Sequence, residues 1–305
     1  MPVIVAQHDA PGPPLFCALF AGLSARPEGW ARARVEASPS RARIPARRPP
    51  PRRPALPAVE LRLAQGTPCW VSLLTHDLPG ARAFYGELLG WTYSPGPAQL
   101  GVYVRAELDG APVAGLGVST ATGFPVQWTT YFAVDDADRT AQLVRECGGT
   151  VAVGPLQAER AGRMAIVADV SGAVFGLWQG EEHLGRETGV EPGGPAWAEL
   201  LTPDADGAAS FYATVLDRPV RPTDGESALF VQGRPVAGIR HHADLRGHPP
   251  RWRTHFAVRD AALAARRTVE LGGRILVDPH DTAHGRAARL ADPQGGHFSV
   301  LEAAA

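Results

Sequence analysis

The sequence predicts an α+β protein made of four copies of a βαβββ unit, arranged as two tandem domains. Three observations carry that prediction. Four β-rich segments each open on a tryptophan: Trp70, Trp128, Trp197 and Trp252. Each segment runs into an aspartate, a helical stretch and then three short strands. The first pair of units returns as the second at an offset of 123–127 residues, so that Pro112-Val113-Ala114-Gly115-Leu116 reappears as Pro235-Val236-Ala237-Gly238-Ile239.

The elements follow in order. Asp77, Asp136, Asp204 and Asp260 are placed to cap helices, because a carboxylate accepts the free N–H groups of a first turn. Phe84 and Leu88, with Tyr85 and Leu89, share one helix face, and Phe211, Tyr212 and Leu216 repeat it. Leu143, Val144 and Cys147, then Leu263, Val269 and Leu271, do the same in the even units, whose helices end at Gly148-Gly149 and Gly272-Gly273. Strands are expected near 91–93, 99–107 and 112–118 in the first unit, and near 150–153, 163–168 and 173–179 in the second. Asp169-x-x-Gly172 and Asp292-x-x-Gly295 mark turns before the last strands. The expected divisions are a disordered segment 1–65, a domain 66–180, a charged glycine-rich linker 181–192 and a domain 193–303.

Composition narrows the function. The 305 residues are 45% hydrophobic and 20% charged, as in a globular protein. Residues 1–64 carry ten arginines against four acids (+6) and 12 of the 29 prolines, leaving 20 arginines against 27 acids (−7) in the rest. The arginine- and proline-rich segment buries too little apolar surface to order itself. The acidic body gives no reason to expect nucleic acid, and the longest apolar run is too short for a membrane span. Three distant cysteines, Cys17, Cys69 and Cys147, give neither a disulfide framework nor a thiolate zinc site and suit a reducing cytoplasm.

A duplicated βαβββ unit with Phe-Tyr-x-x-x-Leu on its first helix and Asp-x-x-Gly before its last strand resembles the vicinal-oxygen-chelate (VOC) superfamily. That group includes glyoxalase I, extradiol dioxygenases and the bleomycin- and fosfomycin-resistance proteins, and the Pro-x-Trp openings are similar to those of its tandem actinobacterial members. The resemblance implies that each domain is an open, cupped sheet with helices outside and the active cleft within. It implies a His or Gln at the opening of a first strand and a Glu on a last strand as ligands of a divalent metal. Here the opening positions are Trp70, Trp128, Trp197 and Trp252, and the closing positions fall at Gly176 and Ser299. None suits a first-row metal, so neither metal nor other cofactor is expected.

Two readings of the tryptophans stand: packing, or a cleft lining that stacks a flat ligand. On the second, alternation adds Ser72, Thr130, Glu199 and Thr254 to the lining, with Tyr103 on a neighbouring strand of the first cup. Glu199, raised in pKa by the indoles and joined by His297 and Ser299, forms the acid/base set of the second domain, unless it pairs with Arg253. His255 falls on the opposite face, under the helices. Three functions follow: a metal-free binder of a small aromatic or amphipathic molecule, a glyoxalase-like lyase, isomerase or hydroxylase using Glu199 and His297, or a structural module. A tandem chain pairs its domains internally, so a monomer is expected, with a small molecule as its partner.

Overall fold

The computed structural model describes residues 62–97, 100–119, 125–186, 189, 191–242 and 249–302. The disorder expected for 1–65 lies outside these residues up to position 61. Gln65 is held in place: its side chain donates to the Leu216 carbonyl at 3.1 Å and its own carbonyl accepts from Arg218 at 2.8 Å.

Sixteen strands and four helices are described. In order they are β1 (Pro68–Thr75), α1 (Leu78–Leu89), β2 (Thr92–Pro95), β3 (Tyr103–Leu108), β4 (Ala111–Val118), β5 (Gln127–Ala133), α2 (Ala137–Glu146), β6 (Thr150–Ala158), β7 (Gly162–Ala168) and β8 (Val174–Gly180). The second domain repeats them as β9 (Pro195–Thr202), α3 (Ala205–Val215), β10 (Val220–Thr223), β11 (Glu226–Val231), β12 (Arg234–His241), β13 (Arg251–Val258), α4 (Ala261–Glu270), β14 (Arg274–Thr282), β15 (Gly285–Ala291) and β16 (His297–Glu302).

Each domain is one eight-stranded sheet, ordered β2-β3-β4-β1-β5-β8-β7-β6 and β10-β11-β12-β9-β13-β16-β15-β14. The two units of a domain meet at an antiparallel seam, β1 on β5 and β9 on β13, while β4 and β8 run parallel to their neighbours at the seam. The four aspartates cap the four helices, accepting from Gly80, Arg139, Gly207 and Leu263 at 2.8–3.0 Å. Gly148 and Gly272 take the left-handed conformation beyond α2 and α4.

The helical face of each sheet packs against the helical face of the other. One core joins Leu73, Phe84, Tyr85 and Trp128 of the first domain to Phe256, Ala264 and Phe298 of unit 4. The other joins Phe132, Val144 and Phe175 of unit 2 to Phe211, Tyr212 and Trp252 of the second domain. The helices thus lie between the sheets, outside both cups, and the cups open away from each other.

Candidate functional site

Alternation along β1 sends Val71 and Leu73 to the core and Trp70, Ser72 and Leu74 into the first cup. The register sets Trp70 opposite Tyr131 and Ser72 opposite Thr129, so β5 adds Thr129 and Tyr131 to the same face. Tyr103 and Arg105 enter from β3, Met164 and Ile166 from β7, and Trp178 from β8. Together they line a cavity of about 120 Å3 with no carboxylate among the described residues of its wall.

The polar groups of this wall are largely tied to each other. Trp70 Nε1 donates to Tyr103 Oη at 3.0 Å, and Ser72 Oγ donates to Tyr131 Oη at 3.2 Å. Burial raises the pKa of both tyrosines, so both stay protonated at neutral pH. Two glycines make room for the rings: a Cβ on Gly115 would lie 1.6 Å from Tyr103 Oη, and one on Gly176 would lie 2.0 Å from the Tyr131 ring.

The segment after β8 closes one end of this cup. His183 N donates to the Ala161 carbonyl at 3.0 Å and Arg186 N to the Cys69 carbonyl at 2.7 Å. The His183 ring stands edge-on to Trp70, with centroids 4.7 Å apart. Burial, then the Arg105 charge, holds its pKa down at about 4, so the imidazole is neutral at pH 7. Its Nε2 is buried without a hydrogen-bond partner. The linker expected at 181–192 therefore contributes a side chain to the first cup.

The same positions in the second cup carry charge. The paired registers put Glu199 where Ser72 stands, Arg253 where Thr129 stands, and His255 where Tyr131 stands. Glu226 replaces Tyr103, and Arg240 replaces Gly117. Arg240 Nε lies 2.7 Å from Glu199 Oε1, Arg253 Nη1 lies 3.1 Å from Glu199 Oε2, and His255 Nε2 lies 3.6 Å from that oxygen. Glu226 pairs with His284 at 2.7 Å and with Arg240 at 3.5 Å. The first cup is an aromatic hollow and the second is filled by an ion-pair network.

This placement corrects several expectations. Trp128 and Thr130, with Trp252 and Thr254, face the core between the domains, while Trp70 and Trp197 face the cups. His255, expected under the helices, faces the second cup beside Glu199. The reason is phase. Trp70 and Trp197 stand seven residues before their capping aspartates, whereas Trp128 and Trp252 stand eight before theirs. One residue of difference turns a side chain to the other face of a strand, and that spacing is readable in the sequence.

Glu199 also differs from expectation in its chemistry. Burial alone would raise its pKa, but His255, Arg253 and Arg240 outweigh burial and hold it at about 2. It is ionised and engaged at neutral pH, paired with Arg253 as the alternative reading had it. Arg240, Arg253 and His255 stand at Glu199, whereas His297 lines a different pocket, with Arg251 and Arg289. Ser299 faces the second cup opposite His255, its Oγ buried without a partner. Trp197 stacks obliquely on His284 at 4.6 Å. Tyr131, Trp178 and His183 went unrecognised as lining residues. The alternation Thr129, Tyr131, Ala133 points to the first, whereas nothing local marks His183.

A divalent metal at the superfamily position does not fit these donors. Among its described residues the first cup offers one imidazole and no carboxylate, and the Tyr131 ring covers Gly176. In the second, Glu199 and Glu226 are bonded to guanidinium groups. Among the described residues no group of three or more His, Cys, Asp or Glu side chains is placed to hold a metal ion. No helix among them is long and apolar enough to cross a membrane.

Comparisons with known proteins place the fold. A family model described as a glyoxalase-like domain matches residues 197–301. CFP32 of Mycobacterium tuberculosis, which carries a glyoxylase name, is 38% identical over 79% of this chain and 96% of its own length. The anthracycline biosynthesis protein DnrV of Streptomyces peucetius is 35% identical over 79% of this chain and 94% of its own. Among solved structures, the Mn(II)-bound glyoxalase of Novosphingobium aromaticivorans superposes with a TM-score of 0.56 at 18% identity, over 79% of this chain and 83% of that one. The 2,3-dioxygenase LapB of Pseudomonas sp. KL28 gives 0.54 at 15% identity, over 79% and 93%. The duplicated βαβββ cups and the full-length similarity to CFP32 agree, and the chain belongs to the glyoxalase-like family of the VOC superfamily.

Proposed function

We propose that this protein binds a small aromatic or amphipathic molecule in its first cup, without a metal. The observation that carries this reading is the aromatic wall of Trp70, Tyr103, Tyr131 and Trp178 around a cavity with no carboxylate among its described residues. Apolar concave walls with a few polar groups suit a flat ligand. The cavity, about 120 Å3, is close to the ~150 Å3 that houses a single benzene ring. One ring enters and the rest of a larger ligand lies at the rim. That rim is polar, with Arg105, Glu107, Arg160 and Glu182 around it. His183 Nε2 is the buried polar atom left for a hydroxyl or carbonyl of the ligand. Similarity to a protein named for anthracycline biosynthesis, the making of fused-ring aromatic compounds, supports the same ligand class.

The test is a fluorescence titration of the full chain with a hydroxylated anthraquinone. Saturable quenching is expected, lost in Trp70→Ala and in Thr129→Trp, which fills the cup, and retained in Trp197→Ala. Quenching that fails to saturate, or that survives Thr129→Trp, overturns the reading. Stoichiometric metal in the purified protein overturns its metal-free part.

A further inference from the structure

We propose that Tyr103 and Arg105 form an anion-recognising pair in the first cup, so that its ligand is an aromatic acid whose carboxylate they hold. This rests on the aromatic-binding reading of that cup and adds to it the charge of the ligand and the two residues that read it.

Alternation along β3 puts both side chains on the cup face. They also converge. The Tyr103 ring lies over β4: a Cβ on Gly115 would stand 1.6 Å from its hydroxyl, and one on Gly117 would stand 3.1 Å from its ring. Gly115 is the register partner of Arg105. Residues directly opposite on antiparallel strands start about 5 Å apart at Cβ. The Tyr103 hydroxyl therefore occupies the place of the side chain that would face Arg105.

Both groups have hydrogen bonds left to give. An indole N–H only donates, so Tyr103 Oη accepts from Trp70 Nε1 at 3.0 Å and keeps its own proton for another acceptor. Among the described residues that proton has no acceptor, and no carboxylate pairs with Arg105. A guanidinium has donors alone, and its planar fork matches the two oxygens of a carboxylate.

The charge of the cup is set by Arg105. It is the one formal charge on the described wall, because His183 is neutral at pH 7. The chain between Pro97 and Leu100 is Ala98 and Gln99, and neither is a charged residue. Glu107, Glu159 and Glu182 line the outer space at the mouth and not the cup itself. Of these, Glu107 accepts from Ser94 and Glu182 pairs with Arg160. Burial is the main influence on the pKa of both Tyr103 and His183, yet the Arg105 charge reaches both and no carboxylate does. A carboxylate entering this apolar wall gives up water, and charge-assisted bonds from Arg105 and Tyr103 replace it. The pair belongs to the first cup alone: the matching positions of the second domain hold Glu226 and Ala228.

The experiment titrates the full chain at pH 7 with anthraquinone-2-carboxylate and with anthraquinone-2-carboxamide, alike in shape and different in charge, reading tryptophan quenching. Both should saturate, with the carboxylate binding about tenfold tighter and its advantage shrinking as salt rises. Arg105→Gln should bring the ratio to about one while the carboxamide binds as before, and Tyr103→Phe should lower the ratio by about threefold. Equal affinities in the wild type, or a full preference kept by Arg105→Gln, overturn the inference and leave aromatic binding standing. A full preference kept by Tyr103→Phe overturns the part given to the tyrosine. No saturable response to either compound overturns the aromatic reading of the cup and this inference with it. The wild-type ratio and its salt dependence read the pair without any variant having to fold.

Discussion

Tyr85 and Asp292 are 207 residues apart in sequence, yet Tyr85 Oη donates to Asp292 Oδ2 at 2.9 Å in the buried layer between the domains. Trp128 Nε1 donates to the same hydroxyl at 3.0 Å. The mirror arrangement uses Tyr212, which donates to Asp169 at 3.0 Å and accepts from Trp252 at 2.8 Å. Each aspartate also accepts turn N–H groups on its other oxygen, from Ser171 and Ala173 or from Gln294 and Gly296. The tyrosine of the Phe-Tyr-x-x-x-Leu motif and the aspartate of the Asp-x-x-Gly motif are therefore partners, each clasping the domain opposite.

Tyr85→Phe removes one hydroxyl and leaves two buried partners unpaired. It should cost about 1–3 kcal/mol, read by urea denaturation, while leaving aromatic binding in the first cup unchanged. Tyr212→Phe should behave alike. A loss below about 0.5 kcal/mol would mean that the clasp contributes nothing measurable.

Glu199→Gln tests the charge network of the second cup. The folded Glu199 has a pKa of about 2 against an ordinary 4.5. Its contribution is fully present above pH 4.5 and is lost as the pH falls from there towards 2. At pH 7 the variant strands Arg253 and should lose about 3–5 kcal/mol. The gap between wild type and variant should narrow as pH drops through that window. A gap independent of pH would show that the ion pairs do not hold this carboxylate.

Gly176→Ala tests the first cup from beneath. Its Cβ would stand 2.0 Å from the Tyr131 ring, so the ring must move into the space proposed for the ligand. Stability should fall by about 1–3 kcal/mol, and anthraquinone affinity by at least tenfold in the fluorescence titration. Unchanged affinity would place the ligand elsewhere.

Asp260→Ala removes the cap of α4, where the side chain accepts from Leu263 N at 2.8 Å. The expected cost is about 1 kcal/mol, visible in the urea midpoint, with no effect on binding in the first cup.

The fold was readable because its signals are local. Capping aspartates, terminal glycines and the return of Pro-Val-Ala-Gly at Pro235 each report on a few neighbouring residues, and duplication states each one twice. The site was less readable because strand facing depends on phase. Treating Trp128 as the counterpart of Trp70 shifted a whole strand by one residue and sent Trp128, Thr130, Trp252 and Thr254 to the wrong side. The ionic second cup was hidden for a different reason. Arg240 reaches Glu199 through strand order, from 41 residues away in the chain, and pairs with Glu226 as well, and no local pattern announces that. His183 is the extreme case, a residue of polar connecting chain that tertiary folding lays against Trp70.

The crossed pairing of units, first with fourth and second with third, bears on how the chain is made. A ribosome delivers unit 1 first and unit 4 last. The apolar face around Phe84 and Tyr85 is complete long before Phe256 and Phe298 exist to cover it. At a synthesis rate of about 5–20 residues per second, that face waits on the order of ten seconds. The nascent first half is the interval in which this protein is most exposed to aggregation, and the last quarter of the chain ends it.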